Sequence, residues 1–566
     1  MSLFSLFGPA AEVPDAQRKS VETGHVRLIV TGALFMVAFS VIAGRMVDVM
    51  VLKGADSQPQ RRLAQAVDHR MQRADIVDRN GVLLATSLPT VSLYAKPKEI
   101  LDAGEASAKL LRVLPELSHT EVLNKLSGDR GFIYLRRNLT PRQQYDVNAL
   151  GIPGLYFEDG ERRVYPQGPL ASHVVGMTDL DNKGIAGIEK TFDGALTGRQ
   201  PLALALDLRV QTVLRDELRR AIADFSAVGA TGVVMDVRSG EMLAMVSLPD
   251  FDPNAPSTAT EEARFNRTTL GVYEMGSTFK LFNTAAALDA GIASPESMFD
   301  ATNPIQISRF SISDYHSLKR PMSVAEILVH SSNVGSAKMA MSLGGERQKE
   351  FLGRLGMLRP VAIELPEVGS PLVPSPWREI STMTISYGHG MAVTPLHLAS
   401  GVGALINGGW FRQPTLLRQD SQTPVPARRV VDDRTSKNMR KMMRMVVEEG
   451  TGGKADVPGY QVGGKTGTAE KAGGAGGYRT KSLLSSFVGA FPMSDPRYVV
   501  LVMVDEPHGT KESFGYATGG WVAAPPVSRI VAQIAPMLGI GPVLEAQAAI
   551  PVQKASTRER AIVAVE

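Results

Sequence analysis

A run of seventeen residues without a charge, Leu28 to Gly44 (LIVTGALFMVAFSVIAG), divides the chain before any other feature does. Arg27 and Arg45 bound it. Its length is at the short end for a helix that spans a bilayer, and Met46 to Leu52 extends it if Asp48 lies at the interface. A buried core helix is the competing reading, because length alone does not separate the two. A cleaved signal peptide fits less well, since the run is long and no small-x-small site with a polar mature start follows. Arg18, Lys19 and Arg27 precede the run, but Arg45, Lys53, Arg61 and Arg62 follow it. The basic-residue count therefore does not favour an inside N-terminus.

The remaining length, within 566 residues, is enough for two or three domains and at least one large core. A formal charge of +4 with no Lys/Arg cluster among aromatics argues against nucleic acid as a partner. Cysteine is absent, which excludes disulfides, thiol catalysis and cysteine–metal sites. Residues 75–84 read as two apolar runs around Asn80-Gly81, a strong hairpin signal because both positions accept positive φ. Up to about 205 short strands mix with helices such as Ser107–Leu114, and the dense motifs Arg163–Pro166, His173–Gly176 and Gly187–Glu189 build no catalytic set. From Asp207 the texture changes: a helix to Asp224, then strands Thr231–Val237 and Met242–Leu248 joined by the turn Arg238–Glu241. A mostly helical stretch runs from about 292 to 460. Strands return at Tyr460–Ala469, Leu484–Phe491 and Tyr498–Val504, with a helix at Val527–Leu538. Early and late strands with helices between predict one mostly antiparallel sheet covered by helices, an α+β fold.

Three short motifs carry the chemistry. In Gly276-Ser277-Thr278-Phe279-Lys280, at the start of a helical pattern that Gly291 ends, serine and lysine stand at i and i+3 on one side. A hydroxyl so placed can hand its proton to an amine, and the first turn of a helix favours an anion at Ser277. The second motif is His330-Ser331-Ser332-Asn333. Ser323 and Glu326 form a capping-box pattern, so a helix runs from there to about His330; helical spacing resumes at Val334 and stops at Gly344-Gly345. Ser331 and Asn333 thus fall at a break, either as caps or as a hydroxyl and an amide facing a cleft. The third is Lys465-Thr466-Gly467-Thr468 on a strand. Here Gly467 lets a substrate backbone approach, while Lys465, Thr466 and Thr468 offer charge and hydroxyls to a carboxylate; the competing reading is a polar edge strand with a bulge at the glycine. Gly459 to Thr466 also fits the phosphate-loop pattern. The context opposes it, since Lys454–Pro458 is no buried strand and the glycine run 473–477, read as a flexible loop, cannot open a helix. His330, His389 and His397 lack metal-motif spacing and read as structural.

These motifs, about 54 and then about 134 residues apart, resemble in order the set shared by penicillin-binding proteins and class A β-lactamases. With Arg73, Asp78–Gly81, Asn266-Arg267, Tyr273–Lys280 and Ser386–Gly390, the chain resembles a class B penicillin-binding protein, most similar to the division-specific FtsI (penicillin-binding protein 3) type of alphaproteobacteria. The resemblance implies a serine transpeptidase/β-lactamase-like domain on an extended N-terminal pedestal, behind one transmembrane helix. The implied division is a cytoplasmic tail (1–25), the transmembrane helix (26–47), the pedestal (48–205), the transpeptidase domain (206–542) and a disordered tail (543–566). It implies a periplasmic catalytic domain on the bacterial inner membrane, hence an inside N-terminus, and D,D-transpeptidation of peptidoglycan stem peptides during septal synthesis. Ser277 would be the nucleophile and Lys280 its base, neutral through burial and the nearby charge of Lys465. Ser331 would relay a proton to the leaving amine, and Asn333 would bond the substrate amide. Lys465, Thr466 and Thr468, with Gly467, would hold the terminal carboxylate, and the N–H groups of Ser277 and Thr468 would form the oxyanion hole. The reaction needs no metal or cofactor. β-Lactam antibiotics, a SEDS-type (FtsW-like) glycosyltransferase and other division proteins are the implied partners, beside the membrane.

Three alternatives remain at this point. An elongation-specific relative shares all three motifs. A β-lactamase or D,D-carboxypeptidase would use the same catalytic domain, against which stand the long N-terminal region and the lack of an evident deacylating glutamate. A non-enzymatic β-lactam sensor or scaffold would not need the motifs intact.

Overall fold

The computed structural model describes residues 30–43, 73–198, 200–307, 310–420, 424–472 and 478–543. The expected cytoplasmic tail, the ends of the expected span 26–47, the first part of the segment 48–205, the glycine run 473–477 and the tail beyond 543 lie outside the described residues. Two compact units are distinguished, residues 1–71 and 72–566. In the first, residues 30–43 form a helix with exposed side chains throughout. Among the described residues no helix is long and apolar enough to cross a membrane.

The second unit begins with a five-stranded sheet containing β1 (Ile76–Val77), β2 (Leu83–Ala95), β3 (Ile133–Leu139), β4 (Leu155–Val164) and β5 (Leu202–Ala203). Three helices cover it: α1 (Ala103–Val113), α2 (His119–Leu126) and α3 (Pro141–Ala149). Leu93, Ala95 and Leu135 from the strands pack with Leu110, Leu114 and Val122 in one small core. The hairpin at Asn80-Gly81 is present, but only Gly81 takes a positive φ (+85°). The Asp78 carboxylate holds the turn instead, accepting from Asn80 N and Val82 N at 2.8 Å each. Its other oxygen accepts from Leu208 N at 3.1 Å, tying the hairpin to the next helix. Nearby, Glu189 is fully buried between Arg73 (2.6 Å) and Arg163 (2.7 Å). Removing its charge would leave Arg163 buried without a counter-ion and Arg73 with only Asp193 (2.7 Å), and Arg163 also donates to Arg73 O at 3.1 Å, so this cluster ties β4 to the segment leading into β1.

Beyond it, Asp207 caps α4 (Leu208–Phe225). The central sheet follows: β6 (Gly229–Asp236) and β7 (Met242–Leu248) early, then β8 (Gly463–Ala472), β9 (Tyr478–Phe491) and β10 (Tyr498–Asp505) late. Its order is β8-β9-β10-β6-β7, antiparallel throughout. Side chains alternate between two helix layers, as the pleat requires. Val500, Val502 and Val504 face α4 and α12 (Ala524–Met537), whose Leu214, Leu218, Val527 and Ile534 complete that core. Val499, Leu501 and Met503 face the other layer with Phe282, Leu396, Val402 and Met443. That layer contains α5 (Lys280–Asp289), α6 (Val324–Val329), α7 (Asn333–Leu343), α8 (Gly345–Arg354), α9 (Glu379–Ile385), α10 (Pro395–Ile406) and α11 (Asp433–Glu448). Among the described residues β8 pairs with β9 alone, so it forms the sheet's edge, beside the Gly276–Phe279 turn that leads into α5.

Candidate active site

Gly276–Phe279 forms a 3-10 turn that runs into α5. In a 3-10 turn residues i and i+3 eclipse, which brings the Ser277 and Lys280 side chains together more closely than an α-turn does. Lys280 Nζ lies 2.8 Å from Ser277 Oγ. It donates to Asn333 Oδ1 at 2.7 Å and Ser331 O at 3.0 Å, with Ser331 Oγ at 3.2 Å. Asn333 Oδ1 and Ser331 O can only accept. A neutral amine has two N–H groups for them and one lone pair, and that lone pair is left for a hydroxyl. Burial, and then the neighbouring Lys465 charge, hold Lys280 well below the ordinary lysine pKa, with Asp314 acting in the opposite direction. The arrangement can therefore take a proton from Ser277.

Helix α6 opens on the expected capping box, with Ser323 and Glu326 bonded reciprocally, and ends at His330. Ser331 follows with φ +60°, a left-handed conformation that an L residue adopts only under constraint. That turn aims both its carbonyl and its hydroxyl at Lys280. Asn333 is the first residue of α7, and its Nδ2 donates to Ser313 O at 3.0 Å. Asp314 accepts from Ser332 Oγ at 2.7 Å and Val334 N at 2.9 Å. Nothing in the local sequence around Ser313-Asp314 marks this bracing role.

Lys465 stands on β8, wholly buried, and donates to Ser331 Oγ at 3.0 Å. Ser331 Oγ thus links the two amines. Burial pushes Lys465 down to about 7, so the charge expected of it is only partly present at neutral pH until an anion arrives. Thr466 Oγ1 is 2.7 Å from Thr451 Oγ1, and Thr468 Oγ1 accepts from Gly519 N at 3.1 Å, which leaves the Thr468 hydroxyl proton for another acceptor. Gly467 also has a reason within the fold to lack a side chain. A Cβ there would lie 2.4 Å from Ser486 Oγ on β9, 2.8 Å from Met275 O and 2.9 Å from Thr278 Cγ2, so the missing side chain admits both the neighbouring strand and the nucleophile turn. No bulge occurs at Gly467; the register shift falls between Glu470 and Ala472. A Cβ on Gly276 (φ +54°) would meet Thr468 O at 2.5 Å and Thr468 N at 3.3 Å, so the Thr468 backbone faces the nucleophile turn.

All of Ser277, Lys280, Ser331, Asn333, Lys465, Thr466, Gly467 and Thr468 come to this one place. The strand starts at Gly463, not Tyr460, and Lys465 lies within it with no helix opening there, which removes the phosphate-loop reading. His397 caps α10, its Nδ1 2.8 Å from Thr394 Oγ1 and its Nε2 2.9 Å from Arg359 O. His389 lies beside Tyr387, with 5.3 Å between ring centroids.

Residues 230–532 match the penicillin binding protein transpeptidase domain, and residues 69–203 the penicillin-binding protein dimerisation domain. The chain belongs to the class B penicillin-binding proteins. Among its relatives in this class, the probable peptidoglycan D,D-transpeptidase FtsI of Caulobacter vibrioides is 44% identical over 482 residues, covering 83% of this chain and 82% of that one. The peptidoglycan D,D-transpeptidase FtsI of Escherichia coli K12 is 33% identical over 509 residues, covering 83% and 84%. The crystal structure of penicillin binding protein 3 from Mycobacterium tuberculosis with aztreonam shares the fold, with a TM-score of 0.66 at 23% identity over 83% of this chain and 97% of that one.

Proposed function

We propose that this class B penicillin-binding protein is a serine-type peptidoglycan D,D-transpeptidase of septal wall synthesis and a covalent target of β-lactams. The observation that carries the reading is the Lys280 amine, wholly buried and within hydrogen-bond distance of Ser277, Ser331 and Asn333, one hydroxyl away from Lys465 on the sheet's edge strand.

A stem peptide ending in D-alanyl-D-alanine pairs along β8, its carboxylate on Lys465, Thr466 and Thr468. Lys280 takes the Ser277 proton while Oγ attacks the carbonyl carbon of the penultimate D-alanine. The Ser277 and Thr468 N–H groups receive the oxyanion, each worth about 3 kcal/mol. Asn333 holds the substrate amide. The C–N bond breaks as Ser331 passes the proton from Lys280 to the leaving nitrogen, and D-alanine departs. An amine of a neighbouring stem peptide then attacks the ester, loses a proton, and returns Ser277 with its hydrogen. A β-lactam enters the first half of this sequence and stays, because its leaving nitrogen remains tethered.

The division 1–25, 26–47, 48–205, 206–542 and 543–566 is part of the same proposal, with the catalytic domain periplasmic, the N-terminus cytoplasmic and residues 26–47 as anchor. An FtsW-like glycosyltransferase and other division proteins would meet the pedestal. Fluorescent penicillin tests the chemistry: wild type is labelled covalently and Ser277→Ala is not, and equal labelling would refute it. A fluorescent fusion in dividing cells tests the role; position on the side wall instead of the septum would return the elongation reading.

A further inference from the structure

Behind the reacting groups, the inner side of α5 meets α8 at a cavity of about 10 Å³, room for one water molecule. Phe279, Phe282, Phe351 and Ile385 make most of its wall hydrocarbon. Two amides interrupt that wall, Asn283 and Gln348, each 3% exposed. Their orientations are set by bonds that cannot be reversed. Asn283 Nδ2 donates to Ser336 O at 3.1 Å, with Ser336 Oγ at 3.2 Å. Gln348 Nε2 donates to Thr382 O at 3.0 Å. A backbone carbonyl only accepts, so flipping either amide would set oxygen against oxygen. Asn283 Oδ1 and Gln348 Oε1 are thereby left buried, and among the described residues neither meets a donor. Native proteins rarely leave such acceptors unpaired.

We propose that one water molecule occupies this cavity, donating one hydrogen to Asn283 Oδ1 and the other to Gln348 Oε1, and that the bridged pair positions the Lys280 helix against its neighbours. Two acceptors match the two hydrogens of one water. A hard cation such as calcium would want six or more oxygens, and this wall offers two among hydrocarbon. Asn283 lies one turn beyond Lys280, and its partner Ser336 one turn beyond Asn333. Ser336 Oγ in turn donates to Ser386 O at 3.0 Å, and Gln348 reaches Thr382 on α9. The water thus closes a polar tie among α5, α7, α8 and α9, one helical turn along α5 and α7 from the residues of the 2.7 Å contact between Lys280 Nζ and Asn333 Oδ1. Asn283 and Gln348 are positioning residues; they act through Lys280 and Asn333.

Two measurements on the full chain, purified in detergent, test this. A crystal structure resolving ordered solvent should show one density peak within hydrogen-bond distance of both amide oxygens; continuous hydrocarbon contact there, or a peak coordinated as a cation, overturns the bridge. The second measurement is the acylation of Ser277 by fluorescent penicillin, and only this one rests on the transpeptidase reading. Gln348→Met keeps the volume and removes the acceptor. Its limiting acylation rate should fall about tenfold with the dissociation constant unchanged, the scale of a sub-ångström misplacement of reacting groups. A wild-type rate overturns the positioning role. Gln348→Glu holds the test if Gln348→Met fails to fold. While protonated, the acid donates to Thr382 O and accepts from the water, so acylation matches wild type; as pH rises and the carboxylate forms, the rate should drop away from the wild-type curve. Superimposable pH profiles overturn the proposal. If wild type itself is not acylated, the functional reading fails and the crystallographic result still stands.

Discussion

Gly388→Ala should separate the nucleophile's placement from the stability of the fold. Gly388 has φ +86°, and an added Cβ would lie 2.0 Å from Gly276 O and 2.6 Å from Gly276 C. Real Cβ atoms essentially never come within 3.0 Å of such atoms, so relief requires a displacement of about 1 Å. The two segments are bonded, Gly276 N donating to Gly388 O at 3.2 Å, and Gly276 is held on its other side by Thr468. The displacement therefore falls on the residue preceding Ser277. Misplacing a reacting atom by about 1 Å costs about 10²-fold in rate. The left-handed φ adds about 1–2 kcal/mol of backbone strain, which lowers stability without touching the chemistry. Gly291→Ala isolates that second effect, because Gly291 has φ +65°, ends a helix with the same bonding pattern as Gly388, and has nothing within 4 Å of an added Cβ. Acylation by fluorescent penicillin and thermal unfolding would be measured on both variants. Both should melt lower than wild type, and only Gly388→Ala should acylate about a hundredfold more slowly. Equal acylation by the two variants would show that the 386–390 segment gives way instead and that Gly276 keeps its place.

Lys280→Met should reduce acylation by about 10²–10⁴-fold by removing the base, and Lys280→Arg should not restore it, since a guanidinium keeps its proton; near-wild-type labelling by either would refute the base assignment. Lys465→Met should lose anchoring of carboxylate-bearing β-lactams yet melt higher than wild type at acidic and neutral pH. Burial lowers Lys465 from 10.5 to about 7. The penalty for its buried charge is thus fully present below about 7 and fades as pH rises towards 10.5. A melting difference that widens with pH would contradict this. Glu189→Ala leaves Arg73 and Arg163 buried without their shared carboxylate and should cost about 3–5 kcal/mol, read as lowered thermal stability with early proteolysis within 73–203; an unchanged protease pattern would count against it.

Features with a local cause can be read directly from the order of the residues. Asp207, Ser323 and Glu326 mark their helix starts because a cap needs only a side chain within three residues. The continuous apolar runs around Val233 and Val500, as expected of strands covered on both faces, and the apolar face of α5 announce the sheet and the helix that cover each other. The i, i+3 spacing already placed Ser277 beside Lys280. Where a contact joins distant segments, no such pattern exists. Ser313 and Asp314 brace Asn333 from a loop, Thr451 and Gly519 bond the Thr466 and Thr468 hydroxyls, and Gly388 supports Gly276, each through backbone or side-chain geometry set by folding. Gly467 was legible as a close approach, but only packing decided that the neighbouring strand and the nucleophile turn close on it. The lysine pKa values belong wholly to tertiary structure, because desolvation is a property of what surrounds an amine and not of the residues next to it in the chain.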